Sequence, residues 1–203
     1  MPEDPDRGRG NVRERAGGPP IARFFDVLPA GDARAAFLGW RSARRGAAQP
    51  QLWDVLPDRL PRAVLPWALL YRTRADGELV YGFAGEELRS FFGSNPKGHP
   101  VLAYARPAER DARRAVIDRS MASGLPVWFV GSLLFRNKAH VPVGRLCLPV
   151  AVGDEKAFLL LYFILADVSA SPPPRDGESG LDEKSLTWAT PDDLADPSSA
   201  DWS

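Results

Sequence analysis

Cysteine and histidine are the scarcest reactive residues in this chain of 203 amino acids, which contains one cysteine and two histidines. Because Cys147 has no second cysteine to pair with, an internal disulfide is excluded and a reducing compartment is favoured. His99 and His140 fall in separate predicted loops, whereas zinc needs three or four ligands that lie together. We therefore expect no metal site.

Net charge is also lacking, because 26 basic side chains balance 26 acidic ones. A neutral chain has no global positive field that would recruit nucleic acid. From Ser169 to Ser203, however, eight residues are acidic and two are basic. We expect this acidic tail to be solvated, the alternative being a tail that folds back onto the basic part of the chain or docks a partner. Trp188 and Trp202 are candidate anchors for a short linear interaction there.

Long apolar runs are missing as well. The longest run, Ala157–Ala166, is about half of the ~20 residues that a membrane-spanning helix needs. Residues Met1–Pro20 are rich in Pro, Gly, Asp and Arg and lack the apolar centre of a secretory signal. The sequence therefore predicts a cytoplasmic protein that makes no membrane contact.

The chain length favours one domain with tails. Residues 1–22 and 169–203 hold few large apolar side chains, so both segments are expected to be disordered. The domain then spans 23–168. A flanking helix, 33–45, opens it, because an aspartate that can cap a helix precedes an amphipathic run.

An aromatic residue followed by Asp-Val-Leu-Pro occurs twice, at Phe25–Pro29 and at Trp53–Pro57. Two copies are too few for a repeat architecture. We interpret them as a chance recurrence or as two similar turns that pack an aromatic ring onto one surface. A competing hypothesis is that the first copy mimics the second and occupies its groove in a partner subunit.

Short apolar segments separated by turn residues predict a five-stranded sheet with two helices after the second strand. The strands are expected at 68–74, 79–85, 127–136, 145–152 and 157–168, and the helices at 86–92 and 107–123. The last strand is apolar at every position from Phe158 to Leu165, so it must be covered on both faces. The helices of 86–123 would cover one face. The helix 33–45, or the same surface of a second subunit, would cover the other.

Six short motifs follow one another between about residues 36 and 168. They are Leu56-Pro57, Leu65-Pro66, Tyr81 to Gly85, Phe92-Gly93 to Gly98, Ser123 to Pro126, and Leu146 to Val150. In this order they resemble the PAS superfamily, and more narrowly a single-domain PAS-like family that is widespread in proteobacteria and mostly of unassigned function. The resemblance implies an α+β fold, a PAS-like five-stranded antiparallel sheet with helices inserted between strands 2 and 3.

The resemblance also implies a role in signal reception or protein interaction, often in dimers, without catalytic residues. PAS-like haem sensors carry an axial His on the long helix, and 107–123 contains none. Light sensors of the superfamily carry a Cys on the short helix, and 86–92 contains none. We therefore expect no cofactor, and we interpret Cys147 as a buried, inert thiol. Gly82-Phe83 departs from the basic and polar residues usual at this point in the family, which argues against a ligand shared with it.

The apolar side chains expected between the sheet and its helices are candidates for lining a ligand pocket. They are Phe83, Leu88, Phe91, Phe92, Ile117, Met121, Phe129, Leu133, Phe135 and Leu148. The same bulky groups would equally fill the space completely, as close-packed cores do.

Three functions are compatible with the sequence. The leading hypothesis is a non-catalytic regulatory module that acts on a protein partner, as a homodimer. Its expected interface residues are Phe37, Leu38, Trp40, Arg41, Leu159, Leu161 and Phe163. The second is a sensor that binds an apolar small molecule in the PAS cavity. The third is a small α+β enzyme, which would require His99 or His140 to meet an acid in a pocket.

Overall fold

The computed structural model describes residues 23–56, 58–104, 107–134, 140–165 and 186–195. The helices are α1 Phe24–Val27, α2 Asp32–Ala43, α3 Leu52–Val55, α4 Glu86–Phe92 and α5 Pro107–Ser123, with 3-10 turns at Arg62–Trp67, Val101–Tyr104 and Asp192–Leu194. The strands are β1 Ala68–Thr73, β2 Leu79–Ala84, β3 Val127–Leu134, β4 His140–Val152, β5 Glu155–Ile164 and β6 Thr187–Trp188. None of the helices in these ranges has the length and apolarity that crossing a bilayer requires.

The strands form one antiparallel sheet in the order β2-β1-β5-β4-β3-β6. The predicted α+β architecture is confirmed, because α4 and α5 lie between β2 and β3 in the sequence. The central place of the last predicted strand is also confirmed: β5 pairs with β1 on one side and with β4 on the other.

The two faces of β5 belong to two separate cores, as its unbroken apolar pattern predicts. Phe158 and Leu160 pack with α4 and α5 on what we call the front face. Leu159 and Leu161 pack on the opposite, back face, in a cluster with residues of α1 and α2. The helix expected at 33–45 therefore covers the sheet within its own chain. No second subunit is needed to shield the rear of β5.

The β3–β4 hairpin is longer than predicted. The sequence suggested a loop over 137–144, but β4 begins at His140 and pairs from there with Leu134. Pro142 and Gly144 both lie within this strand. Gly144 is required inside the strand instead, because a Cβ there would lie 1.9 Å from the Trp128 ring. Residues 135–139, at the tip of the hairpin, lie outside the described part of the chain.

The disorder predicted for residues 169–203 is wrong for 186–195. Thr187 and Trp188 add the short strand β6 to the edge of β3. The Trp188 ring lies beneath the Arg119 guanidinium, 4.2 Å from its carbon, so this tryptophan is not a free anchor. Ala189 is buried, and its amide donates to the Pro126 carbonyl. These contacts compensate for the low apolar content of the segment. Residues 166–185 and 196–203, which include Trp202, lie outside the described ranges.

The two copies of the repeated phrase fold alike. In each, a single helical turn, α1 or α3, is followed by an extended leucine. Two similar turns that pack an aromatic ring onto one surface were one of the interpretations of the sequence; the turns are present, but the aromatic rings behave differently. Phe25 packs against the back-face core, whereas Trp53 is 60% exposed.

Candidate functional site

The front face of the sheet carries a row of polar side chains within an aromatic layer. Alternation along the strands directs Tyr71 of β1, Tyr81 of β2, Cys147 of β4 and Tyr162 of β5 toward α4 and α5. Tyr71 and Tyr81 are opposite each other in the β1–β2 ladder. Four strands thus bring together residues that are far apart in sequence, and Arg145 of β4 belongs to the same row.

Arg145 lies between two rings. The register places it opposite Phe129 on β3 and opposite Tyr162 on β5. Its guanidinium carbon is 5.2 Å from the centroid of the Phe129 ring and 5.3 Å from that of Tyr162. Both distances are within the range of cation–π attraction. The arginine is half-buried.

Glycine at position 131 makes room for the arginine. A Cβ at Gly131 would lie 2.4 Å from Nη1 of Arg145. The guanidinium therefore crosses directly over the β3 backbone. We call Arg145, Phe129, Gly131 and Tyr162 together the Arg145 site.

Aromatic rings form the floor beside this site. The centroids of Tyr71 and Tyr81 are 5.4 Å apart in an edge-on contact, and Tyr71 stacks on Phe158 at 5.9 Å. Phe92 of α4 meets Tyr81 at 5.8 Å. These rings occupy much of the space that the sequence assigned to a pocket.

Burial controls the ionisation of the polar groups in the floor. Desolvation raises the pKa of Tyr71 well above its usual value, and the neighbouring Tyr162 and Tyr81 raise it further, while Arg145 opposes the shift. Desolvation likewise raises the pKa of the Cys147 thiol, again against the charge of Arg145. Both groups are therefore neutral near pH 7. A protonated, buried thiol is a poor nucleophile, as the sequence predicted for Cys147.

Five of the predicted pocket residues belong to the front layer. Leu88, Ile117, Met121 and Phe129 are buried there, and Phe92 is partly buried against it. Phe91 is half-buried and contacts the Phe92 ring at 5.5 Å.

Two pocket predictions are wrong. Phe83 is 45% exposed and lies opposite Leu70, a back-face residue. The register slips between Leu70 and Tyr71, and this bulge at Gly82 turns Phe83 away from the face of Tyr81. Leu148 belongs to the back-face core, because it follows the front-facing Cys147 directly on the strand.

The two remaining pocket candidates are near the tip of the β3–β4 hairpin in the sequence. Leu133 is in β3, two residues from Gly131, but its side chain is not among the described ones. Phe135 lies outside the described ranges.

Four of the seven predicted interface residues are wrong for this folded chain. Phe37, Trp40, Leu159 and Leu161 are each at most 1% exposed, because α2 lies directly on the back face of its own sheet. They cannot contact a second subunit while α2 is in place.

The other three interface candidates are closer to the surface. Leu38 is 38% exposed. Arg41 donates from Nη1 to the Asp193 carbonyl at 3.3 Å. Phe163 is half-buried, 6.0 Å from the Trp128 ring. Whether they contact another molecule remains a prediction.

Sequence reasoning missed the central role of Arg145, Tyr71 and Tyr162. One indication was available: Arg145 is a single charged residue beside a strand of apolar ones, opposite a strand whose alternation places Phe129 and Gly131 on the same face. The role of Arg145 was missed because it is the first residue of the predicted strand, and a charged residue at a strand end is usually exposed to solvent.

The remaining metal-ligating and titratable side chains of the described residues do not form a second site. No three His, Cys, Asp or Glu side chains in these ranges come together in a way that could hold a metal ion. His99 is exposed in the segment that borders β2, and the side chain of His140 is not described. A shallow groove of about 220 Å³ separates α5 from the C-terminal segment, lined by Ala115, Val116, Arg119, Leu186 and Trp188.

Comparison with known proteins identifies the class of this domain. A family model described as a PAS domain matches residues 31–163, more than half of the chain. The chain therefore belongs to the PAS domain family, which confirms the resemblance seen in the sequence. PAS domains are generally non-catalytic sensory domains, so the chain is a sensory or signalling module.

More distant comparisons add little. Among solved structures, a variant of RsLOV matches over 51% of this chain and 62% of that chain, with 20% sequence identity and a TM-score of 0.35. The match thus spans less than two thirds of that protein. No curated protein sequence matches the chain.

Proposed function

We propose that this chain is a non-catalytic PAS sensor that binds a small planar carboxylate at the Arg145 site. The observation that supports this proposal is the guanidinium held between the Phe129 and Tyr162 rings over Gly131. A guanidinium carries five N–H donors in its plane, so it can hydrogen-bond to more than one group in that plane while rings contact its two faces. Such a group recognises a carboxylate through two parallel N–H···O bonds.

The surroundings determine the rest of the ligand. The floor beside Arg145 consists of aromatic rings, which favour a flat apolar body. The apolar ligand expected from the sequence is thereby narrowed to an aromatic acid. A ligand of this kind would replace water at the half-buried end of the layer and contact α5, whose side chains Ile117 and Met121 close the layer above.

The test uses benzoate as the charged probe and benzamide as its neutral counterpart. A ligand that binds the folded state raises the melting temperature. We expect benzoate to raise it and benzamide to have no effect. Replacement Arg145→Gln should abolish the benzoate shift, and Arg145→Lys should reduce it, because a lysine keeps the charge but loses the two-pronged geometry.

The matched control is Arg72→Gln, which removes an exposed arginine from β1 that pairs with Glu155. This variant should respond to benzoate as the wild type does. Equal benzoate shifts in Arg145→Gln and in the wild type would refute the proposal, as would a wild type that responds to neither probe.

A second candidate function is direct protein interaction, the leading hypothesis from the sequence. It is supported by Trp53, which is 60% exposed on the single turn of α3. Exposed tryptophans are frequent anchors of protein interfaces. In a pull-down, proteins captured by the wild type should be lost with Trp53→Ser and retained with Arg145→Gln; the reverse pattern would favour the ligand-binding function alone.

A further inference from the structure

The hydroxyl of Tyr71 is a polar group without a hydrogen-bonding partner inside the front layer. Tyr71 is 6% exposed. Its ring contacts Tyr81 edge-on and stacks on Phe158, but these contacts are made by the ring and not by its oxygen. The Tyr81 hydroxyl, in contrast, donates to the Val101 carbonyl in a long hydrogen bond of 3.5 Å. No hydrogen bond of the described residues involves the Tyr71 oxygen.

The strand register places Tyr71 across the front layer from Arg145. Tyr71 lies opposite Phe158, and Arg145 lies opposite Tyr162, four residues further along β5. The two backbones are therefore separated by about 13 Å along the strands and by two strand spacings, about 10 Å, across them. A tyrosine and an arginine side chain shorten this interval from its two ends. What remains has room for one aromatic ring with a polar group at each end.

The electrostatics of Tyr71 connect it with the same site. Desolvation is the main cause of its raised pKa; Tyr162, Tyr81 and Cys147 raise the pKa further, and the charge of Arg145 lowers it. The neutral hydroxyl can donate one hydrogen bond and accept others. Buried polar groups normally have a partner, and leaving one without a partner is unfavourable. A ligand group that bonds to this hydroxyl removes that cost. The group must be neutral, because a second charge would lose its hydration among the same rings.

We propose that Tyr71 determines ligand specificity: its hydroxyl hydrogen-bonds to a hydroxyl that the aromatic acid carries at the ring position farthest from its carboxylate. This role of Tyr71 rests on the function proposed above and extends it. Arg145 binds the carboxylate, and Tyr71 binds the opposite end of the same ring. A hydroxyl next to the carboxylate would stay beside Arg145 and would not reach Tyr71. The ligand class is therefore narrowed from aromatic acids to those with a distal hydroxyl.

The test compares the dissociation constants of three acids, measured by titration calorimetry: benzoate, 4-hydroxybenzoate and 2-hydroxybenzoate. The wild type should bind 4-hydroxybenzoate about 3- to 10-fold more tightly than benzoate, which is the gain expected from one additional hydrogen bond. It should bind 2-hydroxybenzoate no more tightly than benzoate. Tyr71→Phe should bind benzoate as the wild type does and should lose the preference for 4-hydroxybenzoate.

The matched control is Tyr81→Phe, which removes a hydroxyl from the adjacent ring, one that already donates to the Val101 carbonyl. This variant should keep the preference for 4-hydroxybenzoate. A wild type that binds benzoate and 4-hydroxybenzoate equally well would overturn the role of Tyr71 and leave the carboxylate-binding function in place, as would a preference that survives in Tyr71→Phe. A wild type that binds none of the three acids would refute the proposed function and the role of Tyr71 with it.

A second measurement needs no ligand. Tyr71→Phe removes a buried oxygen that has no partner and keeps the ring contacts with Tyr81 and Phe158. The melting temperature of the ligand-free variant should therefore equal or exceed that of the wild type. A clearly lower melting temperature would show that the hydroxyl already has a partner within the protein. That result would overturn the role of Tyr71 whatever the binding measurements give.

Discussion

The indole Nε1 of Trp40 donates a hydrogen bond of 2.8 Å to the main-chain carbonyl of Pro149, and both groups are buried. This bond joins α2 to the C-terminal part of β4. Beyond Cys147, β4 has passed the end of β3, so its outer edge is bonded by other parts of the chain. The Trp40 indole donates to the Pro149 carbonyl. The Ala151 amide donates to the Pro50 carbonyl at 2.9 Å.

This arrangement explains a proline inside a long strand. Pro149 still faces Phe158 across the β4–β5 ladder. By alternation, the N–H that a proline lacks would point to the outer side, where β3 has ended, so no ladder bond is lost. The carbonyl on that side requires a donor, and Trp40 provides it.

Replacement Trp40→Phe should test the energetic weight of this bond. A phenyl ring retains much of the apolar contact with Phe37 but leaves the buried Pro149 carbonyl without its donor. We expect the free energy of unfolding in urea to fall by about 1–3 kcal/mol. Trp53→Phe, at an exposed position, should change it by less than about 0.5 kcal/mol. Equal effects of the two substitutions would show that the Trp40–Pro149 hydrogen bond does not contribute to stability.

The sequence was sufficient for the elements whose physical causes are local. The amphipathic run of α2, the strands β1 and β2 and the doubly apolar β5 each depend on residues within one segment, and each was predicted at nearly the observed position. The core on both sides of β5 followed from the same reasoning, because a strand that is apolar on both faces must be covered twice.

The parts that failed depend on contacts between distant segments. Phe83 changes face because of a bulge whose cause lies in the pairing of β1 with β2. Thr187 and Trp188 become a strand only because the edge of β3 receives them. Gly144 reads as a loop residue until Trp128, on the neighbouring strand, is seen to cross it. Each of these features depends on residues of another strand, so it cannot be predicted from its own segment of the sequence.

The candidate site was hidden for the same reason. The ring–guanidinium–ring arrangement of Phe129, Arg145 and Tyr162 needs the register of three strands, and the sequence predicts the strands without their register. Alternation correctly placed Phe129 and Gly131 on one face. It did not indicate that Arg145 lies opposite them.

The buried thiol of Cys147 should make stability depend on pH in the alkaline range. Burial raises the pKa of this thiol in the folded chain, whereas the unfolded thiol ionises near about pH 8.5. Below that pH the thiol is protonated in both states, so it adds no pH dependence to the stability. Above it the unfolded chain loses the proton first, so the free energy of unfolding falls as pH rises, by up to about 1.4 kcal/mol per pH unit.

The comparison that isolates this effect is Cys147→Ala, measured by urea unfolding at several pH values between about 7 and 10. The variant should lose some stability at every pH because a cavity replaces the sulfur. It should also lose the decline in the free energy of unfolding that begins at about pH 8.5. Above about pH 10 unfolded tyrosines ionise, and Tyr71, whose pKa is raised by burial, then lowers the stability of both proteins. Parallel pH profiles for the two proteins would exclude Cys147 as the source.

The carboxylate of Asp193 should hold the C-terminal segment to the start of α1. It accepts from the Phe24 amide at 3.0 Å and from the amide and hydroxyl of Thr190 at 2.8 and 2.7 Å. The Phe24 amide has no partner within α1 because it begins that helix. Asp193, 169 residues later in the sequence, therefore acts as its cap. The Arg41 guanidinium donates to the carbonyl of the same residue.

Replacement Asp193→Ala removes all three bonds to the carboxylate, and we expect it to lower the free energy of unfolding by about 1–2 kcal/mol. Hydrogen exchange gives the sharper measurement: the Phe24 amide should lose its protection while amides in β5 keep theirs, since the sheet remains intact. Asp192→Ala, at the exposed neighbouring residue, should leave the Phe24 amide protected. If Phe24 exchanges equally slowly in both variants, the Asp193 carboxylate does not hold the C-terminal segment, and its other contacts, including that of Arg41 with the Asp193 carbonyl, are sufficient.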